Sequence, residues 1–239
     1  MSTSFFGELY LRSTRPFLDP KITAAELDYL EGQLRLLTVP GPLLDFGCGH
    51  GRHLEVGGRL GRQQLGLDRD PASLLEARAA APVARGDFFA APFRPAAFAG
   101  VWAWYNSIFT FEDAQIRALL AQLAQLTRPG GLLIIHTLPR EKIASDPASH
   151  YDGQLPDGSH LVEQVQFNAA TGRDEGRRTL TLPDGTVLQA AYFIRYFFLH
   201  ELEAMLEVVG FRTVFVHGAL DGSPLSGASA DLILGAQRG

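Results

Sequence analysis

A glycine-rich segment, "LLDFGCGHGRH" at residues 43–53, restricts the possible folds of this chain more than any other feature. Gly47, Gly49 and Gly51 stand at alternate positions, directly after an apolar run that carries an acid, Asp45. Glycines occur at this density only where the backbone must turn sharply or where another group comes very close to it. The segment therefore predicts a tight turn after a strand, and it raises the question of what that turn holds.

On both sides of this loop, apolar runs of strand length alternate with helical patterns. Strands are predicted in the segments PLLDF, QQLGLD, VARGD, FAGVWAWY, LLIIHTL, FRTVFVH and ADLILGAQ. Helices are predicted over residues 20–37, in GRHLEVGGRLG after the loop, from Asp70-Pro71 to about Ala80, in EDAQIRALLAQLAQLTR and in HELEAMLEVVG. This alternation is typical of an α/β fold, so we expect a doubly wound, mostly parallel, seven-stranded Rossmann-like sheet.

The alternation breaks at residues 140–198, which contain no clear helix. Strands are predicted there in HLVEQVQFN, RRTLTL and TVLQAAYFIRYFF, with a hairpin turn in LPDGT at 182–186. We therefore expect an antiparallel β insertion over 140–198 that covers the ligand crevice. The core would consist of residues 1–139, with an N-terminal helical segment and the cofactor-binding α/β part, and of residues 199–239.

Composition narrows the possible partners and the compartment. The chain has 239 residues and a formal net charge of −5, which is a poor match for nucleic-acid phosphates. Its single cysteine, Cys48, excludes an internal disulfide and suits a reducing compartment. No signal peptide and no apolar run of membrane-spanning length are recognised. We expect a cytoplasmic protein that binds neither nucleic acid nor membrane; the oligomeric state stays open.

The spacing of the glycines favours one kind of ligand over another. A dinucleotide-binding loop has the pattern G-x-G-x-x-G, which would require glycine at position 52, where this chain has Arg52. The carboxylate of Asp45 beside the loop would repel a pyrophosphate and attract a cation. The loop therefore indicates a positively charged ligand that carries a ribose, and S-adenosylmethionine meets that description.

The sequence resembles the class I S-adenosylmethionine-dependent methyltransferases over most of its length. "LLDFGCGHG" is similar to their first motif, "GLDRDPASLLEAR" to the second-strand motif, "GDFFAAPF" to the third, and "FAGVWAWYNSIF" and "LTRPGGLLII" to the fourth and fifth. Ala99 departs from the pattern, since many members have an acid there. Small-molecule members also carry an antiparallel insertion before the helix at "HELEAMLEVVGF".

This resemblance implies a site. Asp68 matches the acid that binds both ribose hydroxyls, Asp87 the residue that accepts from the adenine amino group, and Phe88 a side chain beside the adenine ring. The complete set expected to bind S-adenosylmethionine is Tyr10, Asp45, Gly47, Cys48, Gly49, Gly51, Asp68, Arg69, Asp87, Phe88 and Trp104.

Several of these residues have simpler interpretations. The glycines could form only a tight strand–helix turn, Asp68 could be a helix-start carboxylate, and Asp87 could cap a turn. Cys48 contributes its backbone N–H rather than a nucleophilic thiol. Of the two tryptophans 102 and 104, we expect one to pack in the core and Trp104 to line the crevice, while Tyr10 lies in a segment that resembles a lid.

The acceptor side of the site is less defined by sequence. His136 ends the fifth strand at the ligand edge and is the candidate general base, although a histidine bonded to backbone in a strand-end turn is the alternative. Tyr105, Arg195 and Tyr196 are candidates for binding the acceptor. The remaining candidates are weaker, namely His160 and His200. No cluster has metal-ligand spacing, so we expect no metal.

We therefore expect a methyltransferase that acts on a small-molecule acceptor with S-adenosylmethionine as cofactor. Two alternatives share the fold and the ligand: an enzyme with other chemistry, or a regulatory protein without turnover. Release of S-adenosylhomocysteine distinguishes a methyltransferase from both. The sequence leaves the acceptor and the methylated element, nitrogen, oxygen or carbon, undetermined.

Overall fold

The computed structural model describes residues 5–239 and contains a seven-stranded sheet and a separate four-stranded sheet. The strands of the larger sheet are β1 Leu43–Phe46, β2 Gln64–Asp68, β3 Val83–Arg85, β4 Phe98–Ala103, β5 Thr127–Thr137, β10 Phe211–His217 and β11 Leu232–Arg238. Their order is β10-β11-β5-β4-β1-β2-β3. Strands β1 to β5 pair in parallel, and β11 pairs antiparallel with both β5 and β10. The expected doubly wound, mostly parallel sheet is confirmed.

The order of the strands reverses between β1 and β4, which lie side by side although β2 and β3 separate them in sequence. Every residue of β1 and β4 is buried, because helices cover both faces of the sheet at this position. Ligands in open α/β sheets bind beyond the carboxyl ends of the strands at such a switch point. The glycine-rich loop begins there, at the end of β1.

The five helices predicted from the sequence are all present, although one of them is much shorter than expected. The helices of the structure are α1 Glu8–Thr14, α2 Pro20–Arg35, α3 Val56–Arg59, α4 Pro71–Ala77, α5 Asp113–Leu126, α6 Arg140–Ser145 and α7 Leu199–Val208. The helix predicted directly after the glycine loop is only the single turn α3. Gly57 explains part of this, because a Cβ atom there would lie 2.5 Å from Cβ of Gln64 on β2. The glycine permits close packing on the sheet at the expense of helix propensity.

The smaller sheet has the order β6-β7-β8-β9, with β6 Ala148–Gln154, β7 His160–Asn168, β8 Arg173–Thr181 and β9 Val187–Arg195. The hairpin turn at 182–186 is confirmed: Leu182 and Thr186 are hydrogen-bonded, and Gly185 has φ of +84°.

Two elements of the insertion were missed, α6 and β6. Strand β6 has the mostly polar sequence ASHYDGQ, so no apolar alternation marks it; its backbone pairing with β7 along its whole length makes it a strand. Helix α6 has only six residues, too few for a periodic pattern. The expectation that 140–198 contains no helix was therefore wrong.

Helix α1 packs against the smaller sheet. Leu9 is fully buried in a cluster with Leu161, Leu180 and Ala190, which come from β7, β8 and β9. Among the described residues, no helix is long and apolar enough to cross a membrane.

Candidate active site

The glycine loop at the end of β1 has the backbone geometry that its composition predicts. Gly47, Gly49 and Gly51 have φ values of +87°, +53° and +94°, a region that favours glycine. A Cβ atom would lie 2.7 Å from Cβ of Ser107 at Gly47 and 2.8 Å from Cα of Ala77 at Gly51. At Gly49 it would meet nothing within 4 Å. The loop is thus packed against protein at two glycines and faces open space at the third.

Asp68, at the end of β2, lies beside this open space. Its Oδ2 accepts a hydrogen bond from the Gly49 backbone N–H at 2.9 Å, and its Oδ1 accepts from the Asp70 N–H at the same distance. The sequence-based alternative, a helix-start carboxylate, belongs instead to Asp70, whose side chain caps α4 through Ser73. Asp68 therefore joins the loop after β1 to the loop after β2, where the two border one crevice.

Asp45 is buried beneath the same loop, and its Oδ2 has no hydrogen-bond partner among the described residues. Burial, reinforced by the negative charge of Asp68 and opposed by Arg52, raises the pKa of Asp45 to about 8. A neutral, unsatisfied carboxyl is costly in the interior, and a cation nearby would favour its ionised form. The unsatisfied Oδ2 of Asp45 therefore fits the cationic ligand that the sequence suggests.

Cys48 has the structural character expected of it. The side chain is buried and makes no disulfide, and burial raises the pKa of the thiol. The Cys48 and Gly47 backbone N–H groups both donate to the Leu67 carbonyl, which fixes the loop on β2. The expectation that the Cys48 N–H contributes to ligand binding is therefore contradicted, because a strand carbonyl already accepts from it. A thiol of this kind is inert as a nucleophile.

The two residues assigned to the adenine differ in their surroundings. Asp87 is exposed, and its Oδ1 accepts from the Phe89 N–H at 3.0 Å, so it caps a short 3-10 turn at Phe88–Ala90. Phe88 is buried on Phe46, with ring centroids 4.6 Å apart. Only its edge approaches the loop, at 3.5 Å from the position of a Cβ on Gly47.

A buried carboxylate that the sequence analysis missed lies on the other side of the loop. Glu26 of α2 accepts hydrogen bonds from Arg52 at 2.7 Å, His53 at 2.9 Å and the indole of Trp104 at 3.2 Å. Burial acts to raise the pKa of Glu26, but the His53 hydrogen bond and the charge of Arg52 outweigh it and lower the pKa to about 2. Glu26 precedes the buried Leu30 by four residues, so helical periodicity already placed it on the apolar face.

Trp104 does not line an open surface. Both tryptophans, 102 and 104, are buried, so the expectation of one in the core and one in the crevice was wrong. The Trp104 indole is stacked on the His136 imidazole at 4.5 Å between centroids. The buried Trp104 ring therefore links Glu26 to His136 and supports the imidazole.

Both ring nitrogens of His136 have partners. Nε2 lies 3.1 Å from Oδ1 of Asp231, and Nδ1 accepts from the Tyr105 backbone N–H at 3.3 Å. The second bond makes Nδ1 the acceptor, so Nε2 carries the proton and donates to Asp231. The long Tyr105 bond is the weaker of the two constraints. Tyr105 is half exposed and has φ of +49°, an uncommon value for a residue with a side chain.

The N-terminal segment lies beside the loops that border the crevice. Burial raises the pKa of the Tyr10 hydroxyl, while the charges of Arg52 and Arg178 lower it and Asp68 raises it. Tyr10 therefore lies within reach of charges on the glycine loop, on β2 and on the inserted sheet. Arg69, assigned to the cofactor, is exposed at the rim with its guanidinium 5.1 Å from the Phe6 ring. The lid role of this segment stays a prediction, and these contacts are compatible with it.

The predicted acceptor residues fall into two groups. Arg195 is buried and committed to protein partners, with Nε 3.2 Å from Asp113 and a further bond to the Tyr196 carbonyl. It joins β9 to the core, so it is not available to grip an acidic substrate. Tyr196 is buried near the end of β4, and burial first, then the charge of Asp174, raises the pKa of its hydroxyl. A side-chain hydrogen bond with Asn106 acts in the opposite direction.

The weaker histidine candidates lie away from the crevice loops. His160 pairs with Asp152 on the exposed part of the smaller sheet, and His200 is exposed and stacked on Phe198. Within residues 5–239, no three His, Cys, Asp or Glu side chains are grouped so that they could hold a metal ion.

Comparisons with known proteins agree with this site. A family model described as a methyltransferase domain matches residues 43–131, which run from β1 into β5. The malonyl-[acyl-carrier protein] O-methyltransferase of Serratia marcescens is 30% identical over 151 residues, covering 59% of this chain. The chain spans 58% of the length of that relative.

Solved structures extend the likeness to nearly the whole chain. An S-adenosylmethionine-dependent methyltransferase from Clostridium acetobutylicum has a TM-score of 0.78 at 14% identity, over 97% of this chain and 96% of that one. CalS10, an amino pentose methyltransferase from Micromonospora echinaspora, has a TM-score of 0.69 at 19% identity, over 100% of each chain. The chain therefore has the fold of the class I S-adenosylmethionine-dependent methyltransferases, and its residues 43–131 match a methyltransferase-domain model.

Proposed function

We propose that this protein is an enzyme that transfers the methyl group of S-adenosylmethionine to a small-molecule acceptor. The observation that carries the proposal is the crevice at the β1/β4 switch point. There Gly49 faces open space and bonds the carboxylate of Asp68, and Asp45 of the preceding strand has a buried, unsatisfied oxygen. A loop that only joined a strand to a helix would need neither the space nor the orphaned carboxyl.

S-adenosylmethionine supplies an activated methyl group, so the protein has to hold, align and dehydrate the reactants. Asp68 binds the ribose hydroxyls, and Asp87 accepts from the adenine amino group at the exposed end of the crevice. Asp45 favours the cationic end of the ligand, and Tyr10 and Arg69 close the rim. Gly47, Cys48 and Gly51 shape the loop.

The acceptor enters beside Tyr105 and Tyr196, beneath the antiparallel insertion at 140–198. His136 removes the acceptor's proton through Nδ1, while Asp231 holds Nε2–H and Trp104 fixes the plane of the ring. Release of the Tyr105 N–H frees the Nδ1 lone pair. Residues 1–139 and 199–239 thus provide the cofactor site and the base, and 140–198 selects the acceptor.

The names of two comparison proteins support a small acceptor group. One is an amino pentose methyltransferase, and the other is an O-methyltransferase of malonyl-[acyl-carrier protein]. The net charge of −5 argues against nucleic acid as the substrate. A cytoplasmic location is part of the proposal and rests on the single, unpaired Cys48.

Calorimetric titration and an acceptor screen test the proposal. S-adenosylmethionine and S-adenosylhomocysteine should bind, and NAD should not. A panel of small hydroxyl, amine and carboxyl compounds should then contain acceptors that cause release of S-adenosylhomocysteine. Tight NAD binding would contradict the cofactor assignment. Binding without any methyl transfer, tested also with malonyl-acyl-carrier protein, would favour a regulatory protein instead.

A further inference from the structure

Asp174 of β8 is a carboxylate on the inner face of the inserted sheet. Because side chains alternate along a strand, Asp174 lies on the same face as Arg178 and Leu180. Leu180 is fully buried in a cluster with Leu9 of α1, and Arg178 donates to Oγ of Ser13 on the same helix. The face that carries Asp174 is therefore the one turned toward α1 and the interior of the protein.

No side chain neutralises this carboxylate. Among residues 5–239, the Asp174 side chain has neither a hydrogen bond nor an ion pair, and burial alone raises its pKa from 3.8 to about 6. Its partners across the sheet are apolar, Phe167 on β7 and Ile194 on β9. An ionised, half-buried carboxylate between apolar side chains and without a partner costs free energy in the ligand-free protein.

The arginines at this end of the sheet are paired with other acids. Arg173, next to Asp174 in the chain but on the opposite face, pairs with Glu112. Arg195, at the end of β9, has its Nε 3.2 Å from Oδ1 of Asp113 on α5. The positive charge that would balance an ionised Asp174 therefore has to come from a bound molecule.

Asp174 also lies on the acceptor side of the crevice. Its charge reaches the hydroxyl of Tyr196, which is hydrogen-bonded to the side chain of Asn106. Oδ1 of Asn106 accepts from Oγ1 of Thr137 at 2.6 Å. Asn106 follows β4 by three residues and Thr137 ends β5, so both stand at the carboxyl edge of the larger sheet. The carboxylate of Asp174 thus faces the region between that edge and the insertion.

We infer that the acceptor carries an amino group in its cationic form and that Asp174 binds this group. The inference rests on the proposed function, since it specifies the chemical class of acceptor for the same crevice. An ammonium group brings three N–H donors together with the missing positive charge. A hydroxyl group would leave the charge of Asp174 unbalanced, and a carboxylate would be repelled by it. Asp174 is in this assignment an acceptor-binding residue.

Pairs of compounds that differ only in an amine test the inference. The panel consists of amino sugars with their parent sugars, arylalkyl amines with the corresponding alcohols, and amino-acid esters with the corresponding hydroxy-acid esters. Each compound is supplied with saturating S-adenosylmethionine, and release of S-adenosylhomocysteine is measured. The amine of a pair should be the acceptor, and its hydroxyl counterpart should be much poorer or inactive.

Variants at position 174 then show whether this carboxylate makes the selection. For the best amine, Asp174→Asn should raise KM by roughly 10- to 100-fold, the range for a lost charge-assisted contact. The value of kcat should change by less than about threefold, because the contact is made equally before and during transfer. Asp174→Glu, which keeps the charge, should recover part of the loss. Glu175→Gln is the matched control, since Glu175 is the next residue of β8 and is exposed on the other face.

The melting temperature of the ligand-free protein separates binding from a structural role. At neutral pH, Asp174→Asn should melt at the same or a higher temperature than the wild type, because it removes an unpaired charge. Unchanged affinity for S-adenosylhomocysteine shows that the cofactor site of the variant is intact. A lower melting temperature, together with a raised KM for amines and alcohols alike, would overturn the inference.

Two further results would also overturn it: an unchanged KM for the amine in Asp174→Asn, or transfer only to hydroxyl or carboxyl compounds. The second result would leave the proposed function intact. A wild-type protein that methylates no compound of the panel would instead remove the proposed function, and this inference with it.

Discussion

The imidazole of His136 lies almost flat against the indole of Trp104, with ring centroids 4.5 Å apart and planes inclined by 14°. Trp104 is itself held by Glu26, and Asp231 fixes the other side of the imidazole. The ring therefore has one orientation, with Nδ1 directed toward the backbone of Tyr105 at the mouth of the crevice. A carboxylate thus holds one ring nitrogen and a backbone N–H holds the other, as in the alternative of a backbone-bonded histidine, so the proposed base role requires release of the Tyr105 N–H.

Replacing His136 with alanine should lower turnover by roughly 10²- to 10⁴-fold, the usual contribution of a general base. Affinity for S-adenosylhomocysteine should barely change, because the imidazole would touch the acceptor and not the donor. Turnover with an acceptor from the screen and the melting temperature are measured on the same preparation. His200→Ala, at an exposed histidine, is the control. A stable His136→Ala protein with full activity would remove the residue from the mechanism, and loss of stability with unchanged turnover would assign it a structural role.

Gly49→Ala should abolish or strongly weaken cofactor binding without unfolding the protein. The added methyl group meets no protein atom within 4 Å, so it would enter the space assigned to the ligand. Gly185→Ala is a close control: Gly185 also has positive φ, at +84°, and open surroundings, but it lies in the distant β8–β9 turn. Titration with S-adenosylhomocysteine compares the two variants. Similar affinity in both would show that the open space at Gly49 is not the ligand site.

Asp68→Ala should weaken the binding of S-adenosylhomocysteine by about 1.5–3 kcal/mol, the value of a hydrogen bond to a charged group. This corresponds to roughly 10- to 150-fold in Kd. Because Asp68 also accepts from Gly49, Asp68→Asn keeps one oxygen for the loop and serves as the milder variant. Unchanged affinity in both variants would contradict the ribose assignment.

Asp45 should make the stability of the ligand-free protein depend on pH. Burial raises its pKa from 3.8 to about 8, so the folded state retains a proton that the unfolded chain has lost. The contribution is fully present below pH 4 and is lost as the pH rises through 8. Asp45→Asn, which cannot ionise, should therefore gain stability relative to the wild type between pH 5 and pH 8. Denaturant unfolding at several pH values measures this difference, and parallel profiles for the two proteins would contradict the shifted pKa.

Asp45→Asn should also weaken S-adenosylmethionine binding, because a cationic ligand favours the ionised carboxylate, which asparagine cannot supply. For the wild type, affinity should increase with pH up to about 8, with release of a proton on binding. Asp45→Asn should lose that increase. Calorimetry in buffers of different ionisation enthalpy detects the proton directly.

The sequence predicted the parts of the site that depend on local backbone geometry. The alternate glycines and the acids at 45 and 68 follow strand ends, and a switch point collects strand ends at one edge. The Glu26 cluster could not be assigned this way, since it depends on α2 packing beside β4, although a glutamate on an apolar helical face was a visible signal. Arg195 was misplaced for a similar reason: its position at the end of β9 suggested the crevice, but its partners Asp113 and Glu201 come from α5 and α7. Strand β6 could not be predicted either, because its sequence has no apolar alternation and only its pairing with β7 makes it a strand.

The inserted sheet and the lid are joined through Arg178 of β8. Its Nη1 donates to Oγ of Ser13 at 2.9 Å and to Oγ1 of Thr14 at 2.8 Å, while its Nε pairs with Glu163 at 2.6 Å. The insertion therefore holds α1, the helix that carries the proposed lid residue Tyr10. Exchanging residues 155–190 for a short linker would remove this contact together with the acceptor cover, so it should affect cofactor binding as well as turnover.

A substitution at Arg178 separates the attachment of α1 from the covering of the acceptor by the insertion. Arg178→Met should lower the affinity for S-adenosylhomocysteine by roughly tenfold. The variant would lack the charge-assisted hydrogen bonds that hold α1 in its closed position, which are worth about 1.5 kcal/mol. Trypsin should also cut more rapidly after Arg12, in the last turn of α1. Arg177→Met is the matched control, since Arg177 is the adjacent residue on the same strand and is exposed. If both variants bind the ligand equally well and resist trypsin equally, α1 is held in place by the buried Leu9 cluster and not by Arg178.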